Sequence, residues 1–261
     1  MIRQPSKPLA GRRIVVTRRP EQSGWLCARL EEMGATVIEL PLVEVALPAE
    51  MAPLDDALRR LDRYDWAVFT SANAVRSVSE RMTDLGIGER GLTRRKIASV
   101  GPATTRTLRA CFPGVAVSVE ASKHDAETLL EELAAGARGL RFLLPTSDRA
   151  RDVLPGGLRE AGAEVDVVVA YRTVAPAGLR DQVLGGLRHG ADLVTFASPS
   201  AVENLMAAAA DVAGGVKAAV IGPVTEQACR RAGIEVRVVA EPSTAEGLVA
   251  AIARHLARPS P

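Results

Sequence analysis

The feature that most constrains this chain is a repeat within it. Asp65–Val75 reads DWAVFTSANAV and Asp192–Val202 reads DLVTFASPSAV, identical at five of eleven positions. KIASVGPATTRTL from Lys96 returns as KAAVIGPVTEQAC from Lys217. GATVIEL from Gly34 returns as GAEVDVV from Gly162, and AETL from Ala126 returns as AEGL from Ala245. The separations, 119 to 128 residues, agree within the length of one loop, and the order is kept. The chain therefore reads as two copies of one unit, each of ordinary domain size.

Each copy alternates short, β-branched, continuously apolar runs with helical patterns. In the first copy RIVVT, TVIEL, WAVFT, KIASVG and VAVSVE are the strands. SGWLCARLEEMG, MAPLDDALRRLD, ANAVRSVSERMTDLG, ATTRTLRACF and DAETLLEELAAG are the helices. The second copy runs likewise from RFLLPT to AEGLVAAIARHL. Apolar strands covered on both faces and separated by helices predict an α/β fold. It consists of two similar flavodoxin-like parallel sheets, each in the order 2-1-3-4-5.

One segment per copy is too long for a strand. VIELPLVEVAL (37–47) and VDVVVAYRTVA (165–175) each stay extended for eleven residues. That is roughly 36 Å at about 3.3 Å per residue, against a usual strand of about five or six. Such segments predict connectors that leave one domain for the other. Residues 1–42 and 175–261 then form a discontinuous first domain and 49–168 the second. Residues 43–48 and 169–174 form a two-stranded β-ladder hinge. The alternative is two contiguous domains, 1–138 and 139–261.

Composition narrows the partners. With 47% apolar and 25% charged residues and a net charge of +2, the chain is typical of a soluble globular protein. Its arginines are scattered rather than gathered into a basic surface, so no nucleic acid is expected. MIRQPSKPLAGRR lacks the apolar core of a secretory signal, and no run of 18 apolar residues occurs. No membrane is expected, and the cytoplasm is. Cys27, Cys111 and Cys229 lie far apart among apolar neighbours and read as reduced, core-facing thiols. His124, His189 and His255 are isolated, and no CxxC or HExxH occurs, so no metal is expected.

In a doubly wound sheet ligands gather beyond the carboxyl ends of the strands. There the chain places TRRPEQS, TSANA and GPATT, with counterparts PTSDRAR, ASPSA and GPVTE. Hydroxyl, amide and proline residues before a helix are ordinary caps. Their recurrence at six loops is less ordinary. Backbone N–H groups at a helix N-terminus, carrying about half a positive charge, suit carboxylate or phosphate. Neither a Walker loop nor GxGxxG is present. Two such sets across a hinged cleft predict one large polyanionic ligand. Arg18, Arg19, Asp148, Arg149 and Arg151 flank these loops, and Arg76 lies in the first turn of the helix after TSAN. Of the two tyrosines, Tyr64 in the RYDW turn is expected to be partly exposed. Tyr171 stands in the second connector where the first copy has Val43. A phenol there can act as a weak acid or donor.

Taken together, VTRRP, GATVIELPLVEV, FTSANAV, SVGPAT, REAGAEVDVVVAYRTV, FASPSAV and IGPVT resemble the uroporphyrinogen-III synthase family, from Arg12 to about Leu256. The resemblance implies two α/β domains on a β-ladder. It implies cyclisation of hydroxymethylbilane to uroporphyrinogen III with loss of water and inversion of ring D, without cofactor or metal. The partner is then a small-molecule tetrapyrrole carrying eight carboxylates, and the protein is expected to be a monomer. The family's cleft tyrosine maps onto Tyr171. Its binding loops map onto Ser71, Ala72 and Asn73, onto Ser198, Pro199 and Ser200, and onto Gly222, Thr225 and Thr104. Two arginines stand where the family has one after the first strand; Arg18 is taken for the site. PTSDRAR departs from the family's Arg-Gly-rich loop, and only Arg151 keeps its place. The other readings open to these loops are an enzyme acting on a phosphorylated sugar and a hinged ligand sensor.

Overall fold

The computed structural model describes residues 7–123 and 125–257. His124 and the outermost ends of the first predicted domain, including the start of MIRQPSKPLAGRR, lie outside the described residues. In chain order the strands are β1 (Arg13–Val16), β2 (Thr36–Glu39), β3 (Glu44–Ala46), β4 (Trp66–Phe69), β5 (Lys96–Ser99) and β6 (Val117–Glu120). They continue with β7 (Arg141–Ser147), β8 (Glu164–Val174), β9 (Leu193–Phe196), β10 (Lys217–Val220) and β11 (Glu235–Val239). One sheet has the order β11-β10-β9-β1-β2, the other β3-β8-β7-β4-β5-β6. Contacts divide the chain into two compact units. One is the chain up to Glu44 with the chain from Val174 on; the other is Val45–Thr173.

The sheets mix the copies. β1 and β2 of the first copy lie beside β9, β10 and β11 of the second. β7 and β8 of the second copy lie beside β4, β5 and β6 of the first. Counting each sheet's own strands in repeat order gives 2-1-3-4-5 twice, with β3 added at one edge. The pairings from β1 to β2 and β9 and from β10 to β9 and β11 are parallel, as are β7–β8, β7–β4, β4–β5 and β5–β6. All strands of a parallel sheet end on one edge, so the loops beyond β4, β5 and β7 are neighbours in one unit and those beyond β1, β9 and β10 in the other.

Each unit has a core on both faces of its sheet. In the unit of Val45–Thr173, Phe69, Val75, Val78 and Ile97 pack on one face. Trp66, Phe142, Leu129 and Leu158 pack on the other. The Trp66 and Phe142 rings stack with centroids 5.9 Å apart. In the second unit Phe196, Val202 and Leu205 form one layer and Ile14, Leu26 and Ile252 the other. A phenylalanine or leucine buried this completely contributes about 1.5–3 kcal/mol.

The repeat extends to backbone angles at the helix caps. Ser71 has φ −158° and ψ 150°, and Ser198 has φ −155° and ψ 154°. Each accepts a hydrogen bond from the third N–H beyond it, that of Ala74 or Ala201. Asp125 and Thr244 do the same for Thr128 and Gly247.

Three expectations differ from the structure. The first long segment is not one strand: β2 stops at Glu39 and β3 begins at Glu44, with Pro41 between. Proline has no N–H to give a ladder. The second segment is continuous, as β8. Tyr64 is buried, because its hydroxyl donates to Asp166 Oδ2 at 2.7 Å on β8. Cys27 and Cys229 are buried, but Cys111, in the last turn of the helix Pro102–Cys111, is only half-buried.

Candidate functional site

A cavity of about 530 Å³ opens at the carboxyl edge of the sheet in the unit of Val45–Thr173. Three chain segments build it. The loop after β4 brings Thr70 and Ser71. The end of β7 and the following turn bring Thr146, Ser147, Arg149 and Arg151. β8 brings Val167 and Tyr171. Asp125 closes one side and the helix Val153–Glu160 another. That helix lies close to the helix Ala126–Ala134 because Gly157 has no side chain; a Cβ there would strike Leu130.

Tyr171 lines this cavity beside Thr70 and Ser71. It is 8% exposed, and its hydroxyl lies 3.1 Å from Ser71 Oγ. Ser71 Oγ accepts the N–H of Ala74 at 3.1 Å, which caps the helix Ala72–Asp84. The backbone of Tyr171 is also tied down, its carbonyl accepting the N–H of Asp148 at 3.2 Å. The carboxylates on the cavity wall are engaged. Asp125 accepts from Thr128 N–H at 2.7 Å, and Asp152 pairs with Arg159 at 3.5 Å. Arg151 reaches Glu127 at 3.5 Å but keeps most of its side chain in solvent. The cavity therefore offers hydroxyls, amides and cations, with one phenol as the group suited to giving a proton.

The wall also has an apolar part that sequence reasoning missed. Val153 and Val167 line the cavity and are 38% and 41% exposed. Val167 stands in an apolar strand and reads as core, and Val153 opens a helix; nothing in either local pattern marks the side left uncovered. Asp125 was missed as well, although it stands at the start of a helix, where a polar residue could have been found.

The sequence-predicted residues fall in two groups. In this unit Tyr171, Ser71 and Arg151 line the same cavity. Ala72 and Asn73 are the first two residues of the helix capped by Ser71. Thr104, in the first turn of the helix Pro102–Cys111, is buried and does not line the cavity. The other unit holds Arg18 just beyond β1, and the cap triplet Ser198, Pro199 and Ser200. It also holds Gly222 and the buried Thr225 at the helix Pro223–Arg231. Gly222 has an extended backbone, and a Cβ there would come within 2.8 Å of Ser243 Oγ. Burial strips water from Arg18 and lowers its pKa below the ordinary guanidinium value. A desolvated cation at a ligand edge gains from an arriving anion. Among the described residues no cluster of three His, Cys, Asp or Glu side chains is placed to hold a metal, and no helix is long and apolar enough to cross a membrane.

Comparison with known proteins bears on the family and the fold. The family model for uroporphyrinogen-III synthase HemD matches residues 26–250. A uroporphyrinogen-III synthase of Synechococcus elongatus is 32% identical over 256 residues, covering 94% of this chain and 96% of its own. One of Chlorobaculum parvum is 25% identical over 250 residues, covering 92% and 98%. Among solved structures, a mutant uroporphyrinogen III synthase of Thermus thermophilus superposes with a TM-score of 0.63 at 21% identity, over 94% of this chain and 99% of that one. The enzyme of Helicobacter pylori 26695 gives 0.64 at 18%, over 92% and 97%. The two structures speak for the fold and the sequence matches for descent; since both span nearly the whole chain, it belongs to the uroporphyrinogen-III synthase family.

Proposed function

We propose that the protein cyclises hydroxymethylbilane to uroporphyrinogen III, expelling water and inverting ring D. The observation that carries this reading is Tyr171, a single phenol set in a cavity whose carboxylates are already engaged. The reaction needs little acid–base work from a protein. The pyrrole nitrogens supply the electrons that release the hydroxyl from the ring-A hydroxymethyl group, giving an electron-poor azafulvene. The substituted position of ring D attacks that carbon. The resulting spiro intermediate fragments and recloses with ring D inverted. What remains for the protein is to fold the chain and to give the departing oxygen a proton. We assign the proton to Tyr171.

The amides behind the three caps are read as carboxylate sites: those of Ala72 and Asn73 behind Ser71, that of Ser200 behind Ser198 and Pro199, and the start of the helix after Gly222. Helix N-termini of this kind hold anions without a cationic side chain. Thr104 and Thr225 shape these turns from within, and Arg18 and Arg151 add charge. The reading needs no cofactor. It takes the protein as a monomer, and three free cysteines suit the reducing cytoplasm. The phosphosugar reading lacks the support that the family match over residues 26–250 gives this one.

Tyr171→Phe tests the assignment. Turnover is expected to fall about 10²-fold, the lower range for loss of a general acid, while affinity for the product stays within about twofold. Unchanged turnover would remove Tyr171 from the chemistry.

A further inference from the structure

Tyr171 sits at a break in the pattern of β8. Val168 and Ala170 face the core layer of Phe69, Ala74 and Val75. Val165 packs on the opposite layer, with Phe142 and Leu144. Strict alternation would send Tyr171 to the side of Val165. The pairing with β7 slips instead: Thr146 opposes Val169, Ser147 opposes Tyr171, and Ala170 is left unopposed. A one-residue bulge reverses the facing of everything beyond it. Tyr171 thereby joins Val168 and Ala170 on the layer that includes the helix Ala72–Asp84, and its hydroxyl meets that helix's cap.

Geometry alone lets either hydroxyl donate, and the cap favours one direction. Ser71 Oγ already accepts the Ala74 N–H. It also stands at the positive end of a thirteen-residue helix. An oxygen so polarised is a poorer acceptor and a better donor. We propose that Ser71 is a positioning residue that donates its hydroxyl proton to Tyr171 Oη, leaving the Tyr171 proton free to be given into the cavity. The proposal rests on the reading of Tyr171 as the proton donor. When the C–O bond of the hydroxymethyl group breaks, its electron pair leaves with the oxygen, Tyr171 supplies the proton, and water departs. The pyrrole nitrogen's pair fills the vacated carbon. Tyr171 is then an anion, and the Ser71 hydrogen bond becomes charge-assisted, stronger than it was in the ground state. The proton lost from the ring-D α-carbon at closure returns to Tyr171 and balances the cycle.

The test compares Ser71→Gly and Ser71→Thr, each in the native and the Tyr171→Phe background, by steady-state turnover of hydroxymethylbilane. Glycine is tolerated at an N-cap at a small cost in stability, and it removes the hydroxyl together with its bond to the Ala74 N–H; threonine keeps both cap and hydroxyl. Ser71→Gly is expected to lower kcat about tenfold with KM within about twofold, the effect of one charge-assisted hydrogen bond gained in the transition state. Ser71→Thr should stay within about twofold of native. In the Tyr171→Phe background Ser71→Gly should cost nothing more, because residues acting as a unit are not additive. Three results would overturn the proposal: native kcat in Ser71→Gly while Tyr171→Phe is slow; a raised KM with native kcat, which makes Ser71 a carboxylate ligand; or full additivity in the double variant. Native turnover in Tyr171→Phe would overturn the donor assignment itself, whatever Ser71 does.

Discussion

Two tyrosines in one unit meet opposite surroundings. The Tyr64 hydroxyl donates to a carboxylate, and burial together with Asp166 pushes its ionisation far above the ordinary range. Tyr171 meets a hydroxyl at a cavity wall instead. Tyr171 was legible in the sequence because a polar residue replaces an apolar one at a repeat position. Tyr64 was misjudged because its partner lies 102 residues away, and no local turn pattern announces it. The cysteines make a second case at this scale. Burial raises the Cys229 thiol to about 11 and Cys27 upward as well, whereas Cys111 is half-buried. Thiolate is the reactive form, so Cys229 should resist alkylation near pH 8. Mass spectrometry after brief maleimide treatment is expected to find Cys111 labelled first and all three labelled in denaturant. Equal rates for Cys229 and Cys111 in the native protein would contradict the burial described.

Among the elements, the helix Ala52–Arg59 is joined to the helix Ala72–Asp84 by a bidentate ion pair. Arg81 Nε and Nη2 reach the two oxygens of Asp55 at 2.6 and 2.7 Å. The hydrogen bonds from Arg81 hold the Asp55 carboxyl below its ordinary pKa, the larger effect, against the opposing pull of burial. A depressed carboxyl contributes stability above its unfolded value of about 3.9 and loses it as pH falls through the lower folded value. Asp55→Asn should therefore be less stable than native protein at pH 7, and the gap should narrow progressively as pH falls below about 3.9 and the carboxyl takes up its proton. Urea unfolding at pH 7 and through the acid range measures it; a gap that persists in acid would assign the loss to packing. The pairing of Asp55 with Arg81 was not legible, since helical spacing places each charge on a face without naming what faces it. Helices and strands themselves were legible almost throughout, because their apolar periods are regular. The short helix Arg90–Thr93 was not, being a single turn without a period.

At the scale of the molecule, the repeat made the sheet order 2-1-3-4-5 readable, since each copy carries five strand patterns in sequence. It did not make the cavity readable. The cavity depends on a bulge in β8, on the close approach of two helices at Gly157 and on uncovered valines, and none of these has a periodic signal. The core layers of the unit Val45–Thr173 draw only on residues of that contiguous stretch. A fragment of residues 45–173 should accordingly fold alone and unfold cooperatively in urea. A fragment with helical circular dichroism but no cooperative transition would show that this unit depends on the rest of the chain.

The central claim is that this chain directs the closure of a linear tetrapyrrole. The direct measurement supplies hydroxymethylbilane made in situ and separates the type I and type III isomers of the oxidised product by chromatography. Closure without a catalyst gives type I, with ring D uninverted; the account predicts that the protein turns the product predominantly to type III. Type I alone, at the rate seen without protein, would contradict it.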